Sequence, residues 1–370
     1  KMEELAKLVK ERGADEVWFD CCLSPKQQNN LEEAVQRPVF DYEWLILEIF
    51  ALNARTEEAK LAVELARSEY LKGRLRRLWT HLDRQRAGGG PGGSGFLTGT
   101  GEKQIEMDRR DVRQRIQVLK DKLDAIAGRR ERMVAGRADC FKVALVGYTN
   151  AGKSTLMNAL TNAGVLAEDR LFATLDTRTA RLHLERHSHV VISDTVGFIR
   201  DLPPKLIASF HATLAEVREA DLLIHVVDSS AHAMEQQIAA VEEVLTTITA
   251  DKVPAIVAFN KADRVYSKAL VGSFRKRYRH AVSVSALTGL GLTELKEAIS
   301  QAIDRRQSRL TVRFSAADGA LGAFIRSRAR IESELYEGDD AILTILADEH
   351  LTAELRDHPK LVVAASVAVG

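Results

Sequence analysis

Cysteine is scarce, with three in 370 residues. Cys21 and Cys22 are adjacent and Cys140 stands apart, so no disulfide framework is available and no second Cys or His pair offers metal spacing. The thiols read as ordinary buried or half-buried side chains, and the chain suits a reducing compartment. No run of about 18 apolar residues occurs, so no membrane-spanning helix is expected. No signal peptide is visible. An excess of one charge is missing too, since the formal net charge is +1. Composition therefore does not announce a nucleic-acid binder, and any basic surface must come from local clustering. Residue 1 is Lys rather than Met. The expectation is that the numbered chain begins inside a longer protein, with a targeting segment upstream left open.

At 45% hydrophobic and 28% charged residues, the chain has the make-up of an ordinary two- or three-domain protein. Residues 2–12 have helical spacing and Glu16–Asp20 reads as a short strand. Ser24 before Pro25 reads as an N-cap and a first-turn proline, opening a helix to about Val35. Trp44–Leu52 reads as another helix. Residues 1–55 are thus expected to form an α/β subdomain.

Two long helices are expected next, over 56–86 and 103–134. Thr56 is the N-cap of the first, with Glu57 and Glu58 at the positive end of its dipole. Leu61, Leu65, Leu71, Leu75, Leu78 and Leu82 give it an apolar stripe. Ile105, Val112, Ile116, Leu119, Leu123 and Ile126 give the second a coiled-coil seam. An antiparallel hairpin over 56–136 follows, with Gly88–Gly101 (GGGPGGSGFLTGTG) as its glycine-rich tip. Basic residues gather around that tip: Lys72, Arg74, Arg76, Arg77, Arg84 and Arg86 before it, and Lys103, Arg109, Arg110, Arg113 and Arg115 after it. A charged helical surface is usually only a solvated face. Here the excess converges on the tip, and Arg74, Arg76, Arg77, Arg84, Arg86, Lys103, Arg109 and Arg110 are the candidate RNA contacts.

Residues 140–306 alternate strand and helix patterns, which predicts a doubly wound α/β domain. Residues 309–370 read as a small α/β unit with strands Leu310–Phe314 and Ala341–Leu346 and a helix over Gly319–Arg330. The strand Phe141–Val146 runs into Gly147-Tyr148-Thr149-Asn150-Ala151-Gly152-Lys153-Ser154-Thr155, and a helix follows. That is a P-loop in its required context. The glycines let backbone N–H groups wrap phosphates, Lys153 would reach the β and γ phosphates, and Ser154 would hold Mg²⁺. A second strand ends in Asp194-Thr-Val-Gly197. Asp194 would hold Mg²⁺ through water, and the Gly197 N–H would meet the γ phosphate. A third ends in Asn260-Lys261-Ala-Asp263, whose carboxylate can accept from N1–H and N2–H₂ of guanine. Ser285-Ala286 follows a fourth, placing a backbone N–H for guanine O6. Either aspartate alone would be an ordinary turn residue. Four elements in this order, each at a strand's carboxyl end, make a GTP site. Thr174, Thr177 and Thr179 are all open as the switch I threonine. Phe198 stands where many GTPases carry a water-orienting glutamine. It brings no donor or acceptor, so slow hydrolysis by the free protein is expected.

The chain resembles the HflX family of ribosome-associated GTPases. The resemblance rests on GYTNAGKST, LFATLD, DTVGFIRDLP and NKAD, and on LSPKQQNNLEEA, ARTEEAKLAVELA and QIEMDRR upstream. It covers nearly the whole chain. It implies binding to the large ribosomal subunit and its RNA by a monomer, with the hairpin loop reaching towards the peptidyl-transferase centre, and splitting or rescue of ribosomes. It favours Thr174 as the switch I residue and a bacterial cytoplasmic setting, or an organellar matrix if a targeting segment precedes this chain. Two departures stand out: Thr177 where the family has proline, and a longer glycine loop. Asn150 has two readings. In related GTPases with this loop an asparagine helps hold K⁺ beside the phosphates; equally, Asn150 simply suits a tight backbone turn. A ribosome-assembly GTPase acting on precursor RNA, and a regulatory switch with a protein-binding coiled coil, are the competing readings.

Overall fold

The computed structural model describes residues 1–87, 100–134, 140–161, 178–185, 187–200, 211–264, 272, 278, 280–347 and 349–368. Its N-terminal unit contains α1 (Met2–Arg12), β1 (Val17–Trp18), α2 (Pro25–Val35), β2 (Val39–Phe40) and α3 (Tyr42–Asn53). The Ser24 signal forms a full capping box: Ser24 Oγ accepts from Gln27 N at 3.3 Å, and Ser24 N donates to Gln27 Oε1 at 2.9 Å. β1 and β2 pair in parallel.

α4 (Glu57–Ala87) and α5 (Thr100–Val134) are the two long helices. The apolar stripes meet as expected, with Leu61 and Leu65 packed against Ile116 and Leu119. Lys120 pairs with Glu69 at 3.1 Å across them. Gly88–Gly99 lie outside the described residues, and Thr100 and Gly101 belong to α5 rather than to the loop.

Arg74 departs from its expected role. Asp41 caps α3 by accepting from Trp44 N at 3.0 Å and is wholly buried. An isolated carboxylate there would be costly. Arg74 answers it with a 2.8 Å ion pair, joined by Leu23 N at 3.1 Å and the Tyr70 hydroxyl at 2.9 Å. The guanidinium also donates to Gln28 Oε1 and lies 3.5 Å from the centre of the Tyr70 ring. Its side chain is 11% exposed. The charge is engaged inside the N-terminal unit, so Arg74 leaves the set of candidate RNA contacts. Removing it would strand Asp41 at a cost of about 3–5 kcal/mol. Arg110 is exposed on α5. Arg76, Arg77, Arg84, Arg86, Lys103 and Arg109 lie along α4 and α5, their side chains outside the described part.

The central domain runs β3 (Phe141–Gly147), α6 (Lys153–Thr161), β4 (Arg178–Leu184), β5 (His187–Asp194), α7 (His211–Arg218), β6 (Leu222–Asp228), α8 (Met234–Thr247), β7 (Ala255–Asn260), β8 (Ala281–Ser283) and α9 (Leu292–Asp304). Six strands lie in the order β4-β5-β3-β6-β7-β8, with β4 antiparallel and the rest parallel. This is the doubly wound sheet that the alternating pattern predicts. Side chains alternate between its faces. Val143, Leu145, Leu222 and Ile224 share one core with Leu156 of α6 and Ile299 of α9. Ala144, Val146 and Leu223 share the other with Val241 and Val244 of α8, and with Ile46, Leu47 and Phe50 of α3 and Ala62, Val63 and Tyr70 of α4. This second core joins α3 and α4 to the central sheet.

The last unit is β9 (Ser308–Ser315), α10 (Gly319–Arg328), β10 (Arg330–Glu337), β11 (Asp340–Ala347), α11 (Glu349–Asp357) and β12 (Val362–Ala368). The strands form an antiparallel sheet in the order β10-β11-β9-β12.

Candidate nucleotide-binding site

The four motifs meet at the carboxyl edge of the central sheet. Gly147 ends β3 at φ +155°, and a Cβ there would overlap the Val226 carbonyl of the neighbouring strand. Gly152 has φ +91°, and a Cβ there would overlap the Asn260 amide. Both positions require glycine sterically as well as conformationally. Between them Asn150 adopts φ +60°, the left-handed conformation asparagine tolerates. Its carbonyl accepts from Lys261 Nζ at 2.9 Å.

Lys153 begins α6, is buried, and donates to the carbonyls of Gly147 and Tyr148, both at 3.1 Å. Burial holds its pKa down to about 8, against the opposing pull of Asp194. Ser154 Oγ donates to Asp194 Oδ2 at 2.6 Å, and Asp194 is fully buried at the end of β5. Thr155 is half-buried in the first turn of α6. Gly197 lies against the P-loop: a Cβ on it would stand 2.9 Å from Thr149 Cα and 3.1 Å from Lys153 Nζ. Phe198 N donates to Gly147 O at 3.0 Å, and Thr149 N donates to Phe198 O at 2.8 Å. The Phe198 ring is 1% exposed, in the core that α3 and α4 share with the sheet.

The other half of the site is held from β7. Asn260 Nδ2 donates to Ala151 O at 2.9 Å, and its Oδ1 accepts from Ala286 N at 3.0 Å. One side chain thus ties the P-loop to the last loop. Ser285 Oγ donates to Asp263 Oδ1 at 2.6 Å. That bond, first among several contributions, holds the exposed Asp263 carboxyl below its usual range.

Of the switch I candidates, Thr179 lies in β4 with its hydroxyl 3.1 Å from Ser193 Oγ. Thr174 and Thr177 lie outside the described residues. Sequence reasoning missed Asp228, which ends β6 and pairs with Lys261 Nζ at 2.7 Å. The signal was there: an aspartate at the carboxyl end of a buried strand, like Asp194. It placed Tyr148 in the P-loop but missed its bond to Arg200, and it missed Tyr42. Tyr148 Oη accepts from Arg200 N at 3.3 Å, and Tyr42 Oη of α3 donates to Arg200 O at 3.4 Å.

Residues 142–261 match the family model described as "50S ribosome-binding GTPase". Residues 1–51 and 53–137 match "GTP-binding GTPase N-terminal" and "GTP-binding GTPase Middle Region". "GTPase HflX" of Magnetococcus marinus is 44% identical over 342 residues, covering 92% of this chain and 78% of that one. The chain belongs to the HflX family of GTPases. The Escherichia coli HflX is 41% identical over 345 residues, covering 92% and 80% of the two chains. That of Chlamydia pneumoniae is 38% identical over 359 residues, covering 96% and 76%. Among solved structures, a GTP-binding protein from Sulfolobus solfataricus in complex with GDP is similar at 25% identity and a TM-score of 0.43, over 81% of this chain and 84% of that one. As an HflX protein the chain binds and hydrolyses GTP. No described helix is long and apolar enough to cross a membrane.

P-loop GTPases use Mg²⁺ with their nucleotide. A hydroxyl oxygen of Ser154 beside a carboxylate oxygen of Asp194 is a donor set that suits this hard cation. No group of three or more His, Cys, Asp or Glu that could hold a metal occurs among the described residues. Mg²⁺ needs none, because it keeps water and phosphate oxygens in its shell.

Proposed function

We propose that the chain is a GTP-driven factor of the bacterial cytoplasm that binds the large ribosomal subunit as a monomer and splits or rescues ribosomes. The match of residues 142–261 to a 50S ribosome-binding GTPase model carries the choice of partner. In this reading Lys153 and the amides of Gly147–Thr155 hold the phosphates. Gly197 meets the γ phosphate, while Asp263, Lys261, Asn260, Ser285 and Ala286 hold guanine. Ser154, Asp194 through water, and Thr174 hold the magnesium. When bound, that ion neutralises charge between the β and γ phosphates. Asn150, exposed beside the phosphate loop, offers its amide oxygen to a potassium ion there.

Lys153 makes nucleotide affinity pH-dependent. Its pKa of about 8 in the free protein rises when phosphates surround it, so binding takes up a proton. Affinity is complete below about pH 8 and declines above it, by up to about tenfold per pH unit until the bound-state pKa is reached. Calorimetric titration of GDP at pH 7, 8.5 and 9.5 should show this decline; a flat profile would contradict a buried, phosphate-binding Lys153.

The RNA-contacting surface is α4 and α5 beyond Arg74. Replacing Arg76, Arg77, Arg84 and Arg86 with Ala should weaken binding to large subunits and flatten its dependence on salt, because each arginine releases counterions from phosphate. GDP affinity should not change. Co-sedimentation from low to high salt measures both. Unaltered binding at every salt concentration would remove these arginines from the interface. Arg74 stays out of the variant, since its loss would disturb Asp41 and confuse folding with RNA contact.

A further inference from the structure

Asp228 ends β6, beside Asn260 of β7. An aspartate in such a place ordinarily caps a turn. Asp228 does so with one oxygen: Oδ1 accepts from Ser230 N at 2.9 Å and from Ser230 Oγ at 2.6 Å. Its second oxygen has a different task. Oδ2 accepts from Lys261 Nζ at 2.7 Å, with the aspartate side chain 16% exposed and the lysine 20%. A pair so shielded holds its geometry better than one in open solvent. The next residue braces the same place, since Ser229 N and Oγ both donate to Asn260 O, at 3.0 and 2.6 Å.

The contact matters because of what Lys261 does. Its φ is +61°, a left-handed conformation that lysine rarely adopts and that costs free energy. Lys261 opens the turn that carries Asp263: its carbonyl accepts from Arg264 N at 3.1 Å. The same ammonium donates to Asn150 O at 2.9 Å, and Asn150 is itself left-handed, at φ +60°. Two of the four non-glycine residues with positive φ among the described residues thus meet at one ammonium. Strain of this kind persists where the surroundings over-determine it. Asp228 supplies the charged partner that holds the ammonium in place.

From this geometry we infer that Asp228 is a positioning residue for guanine recognition, acting through Lys261. The inference rests on the reading of Asn260–Asp263 as the guanine site. Asp228 fixes Lys261 Nζ, and the fixed ammonium holds the left-handed backbone at 261. That backbone aims the turn bearing Asp263, while the bond to Asn150 O tethers the turn to the phosphate loop. Without the carboxylate, hydration competes for the ammonium and the turn can relax. Asp228 needs no contact with the nucleotide and takes no part in the hydrolytic step. Its loss should therefore act on binding and not on the rate at saturation.

The test is a double-mutant cycle in the full chain, with Asp228→Asn, Lys261→Met and the two combined. It measures GDP affinity by calorimetry, KM and kcat for GTP, and Tm. Asp228→Asn keeps the shape and an oxygen for Ser230 N, but sets an amide donor against the ammonium. It should lose about 10- to 100-fold in GDP affinity, the size of a hydrogen bond between charged groups. KM should rise while kcat stays within about twofold, as when binding shared by ground and transition states is removed. Lys261→Met should lose at least as much affinity, and the double variant no more than Lys261→Met alone. Additive losses would overturn the proposal, because Asp228 would then act by another route. So would parental GDP affinity in Asp228→Asn beside a weakened Lys261→Met. An Asp228→Asn variant that does not fold would also overturn it, by assigning the carboxylate to stability. Parental affinity in Lys261→Met would strike the guanine-site reading itself, and the proposal with it.

Discussion

Replacing Asp263 with Asn should abolish useful GTP affinity and create affinity for xanthosine triphosphate. Asp263 is exposed at the mouth of the site, and its Oδ1 is held by Ser285 Oγ at 2.6 Å. That contact orients the carboxylate and favours its ionised form, so guanine recognition persists well into the acid range. Guanine offers N1–H and N2–H₂, two donors to a charged acceptor worth roughly 1.5–3 kcal/mol each. Asparagine replaces one acceptor by a donor and removes the charge. The expected loss for GTP is therefore about 3–6 kcal/mol, or roughly 10²–10⁴-fold. Xanthine carries a carbonyl where guanine carries its amino group, and the asparagine amide can donate to it. Titration of both nucleotides into the variant should show the preference inverted. GTP affinity unchanged from the parent would remove Asp263 from the base site.

The second large effect concerns rate. Phe198 supplies no polar group to the reaction, and its ring is committed to the core beneath α3 and α4. Free protein should hydrolyse GTP on the order of 10⁻³ s⁻¹ or slower, the range of unaided GTPases. Large subunits should raise this by roughly 10²–10³-fold, by ordering groups that stabilise the charge developing at the γ phosphate. Potassium should add to the stimulated rate and sodium should not, with the difference removed by Asn150→Ala. Steady-state hydrolysis at matched ionic strength, with and without subunits, separates these effects. Fast turnover without subunits would contradict the activation claim. Equal rates in the two salts would contradict the potassium site and leave Asn150 with its backbone role alone, for which its φ of +60° is sufficient reason.

Much of this site was legible in the chain because its residues are dictated by local geometry. Gly147 and Gly152 are fixed by backbone conformation and close approach, Asp194 and Asn260 by their place at strand ends, and the Ser24-Pro25 helix start by its capping chemistry. What the sequence hid is long-range. Arg74 reads as one of a run of basic residues until Asp41, 33 positions away in the chain, is found buried beside it. Tyr42 is 158 positions from Arg200, whose carbonyl it reaches. β10 was missed because seven of its eight residues, all but Ile331, are exposed, which erases the alternation that betrays a half-buried strand. The shared core of α3, α4 and the central sheet was hidden for the same reason as Arg74: helical spacing shows which face is apolar, not what covers it.

A GTP-driven switch onto the large ribosomal subunit requires binding that depends on the nucleotide. The direct test is co-sedimentation of the full chain with purified large subunits, in a non-hydrolysable GTP analogue and in GDP, at physiological salt. Near-stoichiometric binding is expected with the analogue and much weaker binding with GDP. Equal pelleting with both nucleotides, or none with either, would contradict it.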